Sequence, residues 1–265
     1  MAIRLVVIDM DGTLLDDALM LSQKNEEKIH DLIDKGIDVV FATGRTFKAT
    51  QHYAEIFIRD IPLITYNGAL IKTSLSEEII ASKTMLLEDA YKILAFGEKE
   101  NTYTKVYIND VLYVDKETPE AIAFSRNHGI KYQAVGRLKD NIKKPPYLIV
   151  FKDSIGKITE MRKKLSIFNN LSYTLSTPGS LEFMPKNTSK ALSIAKLAKK
   201  IGIKREETLA IGNSLNDYDM LKWAGIGVAM KNSDVELKKY WNNISQYDNN
   251  EDGVSKIIDK YITYQ

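Results

Sequence analysis

The feature that most constrains this chain is a short β-rich apolar run, Ile3 to Ile8, that ends directly in Asp9-Met10-Asp11-Gly12-Thr13. Beyond it, helices and strands alternate. A helical segment from about Gln23 to Lys35, apolar at Ile29, Leu32 and Ile33, is stopped by Gly36; strand Ile37 to Ala42, helix Thr46 to Phe57 and strand Pro62 to Tyr66 come next. The same pattern returns late, as helix Lys190 to Lys200 closed by Gly202, strand Thr208 to Ile211, helix Asp217 to Trp223, strand Ile226 to Ala229 and a closing helix from Gly253. Alternating strands and helices predict a parallel sheet, so the two ends of the chain are expected to form one α/β domain.

The middle has a different character. Tyr103 to Ile108 and Val111 to Val114 flank Asn109-Asp110, a hairpin-like turn pair without the favoured glycine. A helix with Pro119 near its start comes after them, then strands near Ile130 to Ala134 and Tyr147 to Phe151, a helix from Ile155 to Leu165, and strands Leu171 to Ser176 and Leu181 to Met184. This predicts an α+β insertion with boundaries near Ser82 and Pro185. With 265 residues and 44% hydrophobic content there is enough chain for two cores.

Charge and composition exclude several functions. Lys and Arg total 37 against 35 acidic residues, a net charge of +2, which gives no field for a nucleic acid or an anionic membrane. The absence of cysteine removes disulfides, thiolate nucleophiles and cysteine-bound zinc. No apolar run approaches the length of a membrane span, about 18 residues. Met1-Ala2-Ile3-Arg4 leads straight into the first strand without the layout of a signal peptide, so a cytoplasmic location is expected.

Four loops carry residues suited to chemistry. Asp9 and Asp11 emerge where open parallel sheets bind ligands, and two neighbouring carboxylates on a buried strand need a cation, a proton or a positive site beside them. Magnesium suits that place, being hard, bound by carboxylate oxygen and able to share its shell with phosphate. Thr43-Gly44-Arg45 follows the second strand, where a hydroxyl and the amides at a helix start can hold phosphate. Lys190 opens a helix, a locally unfavourable position for a cation that a neighbouring anion would explain. Gly212-Asn213-Ser214-Leu215-Asn216-Asp217 brings amide and carboxylate oxygens to the same sheet edge, where they could complete a metal shell. Taken singly, each has a plainer reading: an Asp-Gly turn, a helix cap by Thr43, a solvated lysine, a turn with its cap. His30, His52 and His128 fall in helical stretches away from these loops and read as surface or partly buried positions. Arg126-Asn127-His128-Gly129 is an interrupted version of the Arg-His-Gly motif of histidine phosphatases. Tyr103, Tyr107 and Tyr113 are expected to pack the insertion, with one or two of them open to a pocket.

In this order the four loops resemble the haloacid dehalogenase superfamily, and specifically its Cof-type sugar-phosphate phosphatase branch. The resemblance runs over essentially the whole chain, with Asn67-Gly68 and Asn249-Asn250-Glu251-Asp252-Gly253-Val254 fitting as well. It implies an α/β fold: a Rossmann-like parallel-sheet core domain of residues 1–82 and 186–265 with an inserted α+β cap domain of residues 83–185 that selects substrate. The implied activity is magnesium-dependent hydrolysis of small phosphorylated metabolites, sugar phosphates above all, through an aspartyl phosphate. Asp9 would be the nucleophile, and Asp11 the general acid and then the base. Met10, Thr43, Gly44, Lys190 and Asn216 would hold phosphate oxygens, Mg2+ would sit among Asp9, Asp11, Asn213 and Asp217, and Arg45 and Asn67 would reach the substrate. A monomer or weak homodimer is expected, with neither nucleic acid nor membrane as partner. One position departs from the family pattern, which has Asp where this chain has Asn213; an amide oxygen still ligates magnesium but brings no charge, so a raised magnesium requirement is expected. The alternatives are a non-catalytic phosphometabolite-binding protein of the same fold and a phosphomutase, which returns the phosphoryl group to its substrate.

Overall fold

The computed structural model describes residues 2–262. The chain begins with β1 (Leu5–Ile8), α1 (Gln23–Asp34), β2 (Asp38–Ala42), α2 (Lys48–Glu55), β3 (Pro62–Thr65), β4 (Leu70–Thr73) and β5 (Ile79–Ser82). It continues through α3 (Leu87–Lys99), β6 (Tyr103–Ile108), β7 (Val111–Val114), α4 (Pro119–His128), β8 (Lys131–Ala134), α5 (Leu138–Asn141), β9 (Leu148–Lys152), α6 (Ile155–Arg162), β10 (Leu171–Thr177) and β11 (Ser180–Pro185). It closes with α7 (Lys190–Ile201), β12 (Thr208–Gly212), α8 (Tyr218–Trp223), β13 (Ile226–Ala229), α9 (Val235–Lys238) and α10 (Gly253–Tyr261).

β1 is buried along its whole length and lies between β2 and β12, in a seven-stranded sheet of order β13-β12-β1-β2-β3-β4-β5. From β13 to β3 the pairings are parallel, and β4 and β5 add antiparallel strands at one edge. Ile8 pairs with both Phe41 and Ile211, so the residues just beyond these three strands come out level at one end. That end is also where the strand order reverses about β1, the crevice in which open α/β sheets bind ligands. Helix ends agree with sequence signals: Ser22 and Ser189 cap the starts of α1 and α7, and Gly202 closes α7 in the left-handed region.

The second sheet has order β10-β11-β9-β6-β7-β8. Asn109 (φ 46°) and Asp110 (φ 63°) make the β6–β7 turn in the left-handed conformation that a two-residue hairpin requires, without glycine. Alternation along its strands gives the sheet two faces. Val106, Ile108, Ile149, Phe151, Leu181 and Phe183 pack with α3 and α6, whereas Tyr107, Leu148 and Val150 belong to the cluster shared with the first sheet. The protein is therefore a Rossmann-like core with a cap lying over it. Among the described residues no helix is long and apolar enough to cross a membrane.

The sequence pattern does not reveal α3, nor β4 and β5. α3 carries acidic residues in its first turn and buries Ala90, Ile93, Leu94 and Gly97 at helical spacing. Its internal glycine weakens the helix signal for a packing reason, because a Cβ on Gly97 would lie 2.8 Å from the Phe151 ring. Phe151 is itself fully buried and meets Phe183 edge-on at 5.1 Å. Phe151→Ala should cost about 3–5 kcal/mol, read as a lower urea midpoint for the cap; a loss under about 1 kcal/mol would mean that the neighbouring rings close the void.

Candidate active site

The loop after β1 is fixed by main-chain bonds, Thr13 and Leu15 donating to the Met10 carbonyl and Leu14 to that of Asp9. Met10 sends its side chain into the core, so any contact it makes with a ligand comes from its main chain. Gly12 has φ 72°, and a Cβ there would fall 2.4 Å from the Asn213 side-chain nitrogen, so the first and fourth loops touch at a position only glycine fits.

Lys190 is 1% exposed, and its Nζ donates to Asp9 Oδ1 and to Asp217 Oδ1, each at 2.6 Å. The second oxygen of Asp217 accepts from the amides of Asn213 and Ser214 at 2.9 and 3.0 Å. Both Asp217 oxygens are thus engaged in aiming Lys190 and shaping the fourth loop, and a bond to a metal would have to share one of them. Burial and the Asp217 charge push the Asp9 carboxyl up to about 7 against the opposing pull of Lys190. Burial alone would depress Lys190, but the two carboxylates hold its pKa above the ordinary value. The anion that the helix-start position called for is present twice over.

Asp11 points the other way. Its oxygens accept from Arg45 Nε and Nη2 at 2.8 and 2.6 Å, a bidentate pair, and Arg45 is anchored by Nη1 donating to the Ala49 carbonyl. Partial loss of solvent beside the cavity works to raise Asp11, whose side chain is still about half exposed, but the bonds and charge of Arg45 prevail and hold it below the usual carboxylate range. Thr43 Oγ1 accepts from the Arg45 amide and does not cap α2; Thr46 Oγ1 accepts from Ala49 N in the turn that leads into that helix, whose N-cap position is Phe47. The helix accordingly starts at Lys48, later than the sequence pattern indicated.

The remaining candidates form a polar thread between the two sheets. Asn216 donates to Asn67 Oδ1 at 3.1 Å, Asn67 donates to Glu182 Oε2, and Glu182 Oε1 accepts from Ser176 at 2.5 Å. Gly44 lies against this thread, where a Cβ would be 3.2 Å from Asn67 Oδ1. Asp9, Asp11, Thr43, Gly44, Arg45, Asn213 and Asn216 border one cavity of about 310 Å3. Its far wall is built by the cap, from Lys105, Tyr107, Phe124, His128, Val150 and Glu182 among others.

His128 overturns an expectation. Helical spacing placed it away from the loops, but the cap folds its helix end over the core, and the imidazole borders the same cavity as Asp11. Burial first, then the Arg45 charge, pushes it down to about 4. His30 and His52 lie outside that cavity, against Phe57 and Tyr53. Of the three tyrosines, Tyr107 reaches the cavity and Tyr113 packs with the cap's inner cluster. Lys105 and Glu182, which the sequence did not single out, sit at alternate positions of buried strands. A charged residue inside an apolar strand was the available signal.

The sequence matches the profile of the haloacid dehalogenase-like hydrolases over residues 6–258. The chain belongs to this family. A Bacillus subtilis relative named 5-amino-6-(5-phospho-D-ribitylamino)uracil phosphatase YcsE is 32% identical over 261 residues, covering 98% of this chain and 96% of that protein. A haloacid dehalogenase-like hydrolase structure from B. subtilis superposes with a TM-score of 0.89 at 25% identity, over 97% of this chain and 99% of that one. A crystal structure from Thermotoga maritima gives a TM-score of 0.80 at 29% identity, covering 99% and 98% of the two chains. This haloacid dehalogenase-like protein is a phosphoric monoester hydrolase.

The depressed His128 predicts a pH effect on stability. A base whose folded pKa lies below its unfolded value of about 6.5 contributes fully above that pH, and the contribution is lost as pH falls toward 4. Between pH 6.5 and 4.5 the melting temperature of His128→Gln should therefore fall less than that of the parent. The difference should be on the order of 2–4 °C, the response of a chain this long to about 1 kcal/mol after allowance for solvent screening. Parallel curves for the two proteins would show that His128 is not the group responsible.

Proposed function

We propose that this phosphatase is magnesium-dependent and hydrolyses small phosphorylated metabolites, sugar phosphates above all, through a phosphorylated Asp9. The observation that carries the reading is Asp9 itself. One of its oxygens is held by Lys190, the other makes no hydrogen bond among the described residues, and the side chain borders the cavity. The relative YcsE is named for a substrate whose phosphate sits on a ribityl chain, which supports a polyol or sugar phosphate of similar size.

In the first half-reaction the free oxygen of Asp9 attacks phosphorus, the bond from phosphorus to the leaving oxygen breaks in line, and Asp11 gives that oxygen a proton. In the second, Asp11 takes a proton from water as the water attacks phosphorus, releasing phosphate and restoring Asp9. Arg45 holds Asp11 as a carboxylate, the form needed for this second step, so the pair must loosen before Asp11 can donate. Lys190, Thr43, the Gly44 amide, the Met10 main chain and Asn216 receive the phosphate oxygens; Arg45 faces the rest of the substrate, and Asn67, buried outside the cavity lining, positions Asn216 and Glu182. Residues 83–185 act as the cap that selects the leaving group.

The donor set fits magnesium narrowly. Among the described residues no group of three or more His, Asp or Glu side chains gathers to hold a metal, because Asp217 and Asp11 are engaged by Lys190 and Arg45. What remains is the Asp11 carbonyl, the Asn213 amide oxygen and, with the free Asp9 oxygen reserved for phosphorus, the Asp9 oxygen shared with Lys190, all hard donors, and magnesium commonly takes one or two carboxylates together with substrate phosphate and water. Bound there, it would supply positive charge against the phosphoryl oxygens.

Phosphate release from para-nitrophenyl phosphate with magnesium should disappear in Asp9→Asn; retained turnover would remove Asp9 as nucleophile. Asp11→Asn should lose about 100-fold or more on an alkyl phosphate and markedly less on the para-nitrophenyl ester, whose leaving group needs no proton. Equal losses on both would exclude Asp11 as the acid. Asn213→Asp adds a charged donor, and the magnesium concentration giving half-maximal rate should fall by about tenfold; an unchanged requirement would place the metal elsewhere.

A further inference from the structure

The cap side of the cavity holds a cation that forms no ion pair among the described residues; Glu120 and Glu182 act on it only at longer range. Lys105 is 6% exposed on β6 and borders the cavity. The two other basic residues with long side chains on that lining are paired, Arg45 with Asp11 and Lys152 with Glu120 at 3.1 Å. The Lys105 side chain makes no hydrogen bond or ion pair with any described residue, and its ammonium rests 4.2 Å from the centre of the Phe124 ring. Nor is a carboxylate in reserve. Of the three that border the cavity, Asp9 is bound to Lys190, Asp11 to Arg45, and Glu182 to Ser176 and Asn67.

Sheet geometry explains the separation. Lys105 and Glu182 are both registered against Val150 of β9, so the three residues form one row across β6, β9 and β11, with two strand spacings, about 10 Å, between the charged residues. The Glu182 end of the row touches Asn67 beside the phosphate-facing loop, and the Lys105 end lies two strands away against Phe124. Burial and the charge of Lys152 lower Lys105 to about 8, so it is still mainly protonated at neutral pH. His128 Nδ1, buried and without a partner, borders the same cavity. A buried ammonium without an acceptor is unfavourable, and an oxyanion satisfies it better than a neutral hydroxyl does.

We propose that Lys105 determines specificity for the leaving group, and that preferred substrates carry a second, negatively charged oxygen group, a carboxylate or another phosphate, on the part that leaves. This rests on the phosphatase reading of Asp9 and deepens it by naming the substrate class: phosphate esters whose alcohol is itself anionic.

Three esters on one six-carbon frame test it: sorbitol 6-phosphate, 6-phosphogluconate and sorbitol 1,6-bisphosphate, with phenyl phosphate as reference. With magnesium, the parent enzyme should show a kcat/KM about tenfold or more higher for at least one anionic ester than for sorbitol 6-phosphate, the ratio expected of a charged hydrogen bond. Which ester wins identifies the oxyanion. Lys105→Met should bring the ratio to near one, and Lys105→Arg should keep most of it. Thermal melting gives a readout independent of turnover: the preferred anionic ester should raise the parent's melting temperature more than sorbitol 6-phosphate does, and the difference should vanish in Lys105→Met. Equal efficiencies in the parent, or a preference that survives Lys105→Met, overturn the assignment of Lys105 while leaving the phosphatase reading intact. Failure to release phosphate from any of the four esters overturns both.

Discussion

One ammonium between two carboxylates organises this protein. Lys190 reaches Asp9 across 181 positions of sequence and Asp217 across 27, so a single buried cation joins the end of β1, the start of α7 and the loop after β12. Burying three charges is costly, and removing one member of such a set leaves the others uncompensated, which makes the triad a poor source of stability and a strong constraint on arrangement. Asp217 takes the structural share of the work by tying Lys190 to the amides of Asn213 and Ser214. Asp9 is left with an unsatisfied oxygen and a carboxyl that burial has made reluctant to ionise.

A second division of labour separates Asp11 from Asp9. Only Met10 lies between them, yet Asp9 is 5% exposed and faces Lys190 while the Asp11 side chain is 48% exposed and faces Arg45. Like charges that would repel if directed at one point are directed at two cations. The same environment pushes one carboxyl up and the other down, the kind of separation by which neighbouring acids take different roles.

Much of this was legible in the sequence because parallel strands buried on both faces are apolar runs, and the loops after them are short. β1, β2, β12 and β13 and the four reactive loops could be placed from the pattern of Ile, Val and Leu and the residues next after it. Elements whose reason is tertiary were harder. α3 is interrupted by Gly97, which only the Phe151 ring explains, and β4 and β5 extend a sheet edge with no motif of their own. His128 looked remote because helical spacing says nothing about what a cap folds onto. Asp217 was readable as a ligand from its residue type, while its bonds to Lys190 and to two amides depend on a register that sequence does not display.

The two-faced cap sheet has an evolutionary consequence. Lys105, Val150 and Glu182 face the cavity, while the next residues along the same strands, Val106, Phe151 and Phe183, lock the sheet onto α3 and α6. Selectivity and foldability therefore occupy interleaved positions that answer to different pressures. A lineage can exchange the cavity-facing set one residue at a time and alter what the cavity accepts, with the scaffold beneath never having to be rebuilt.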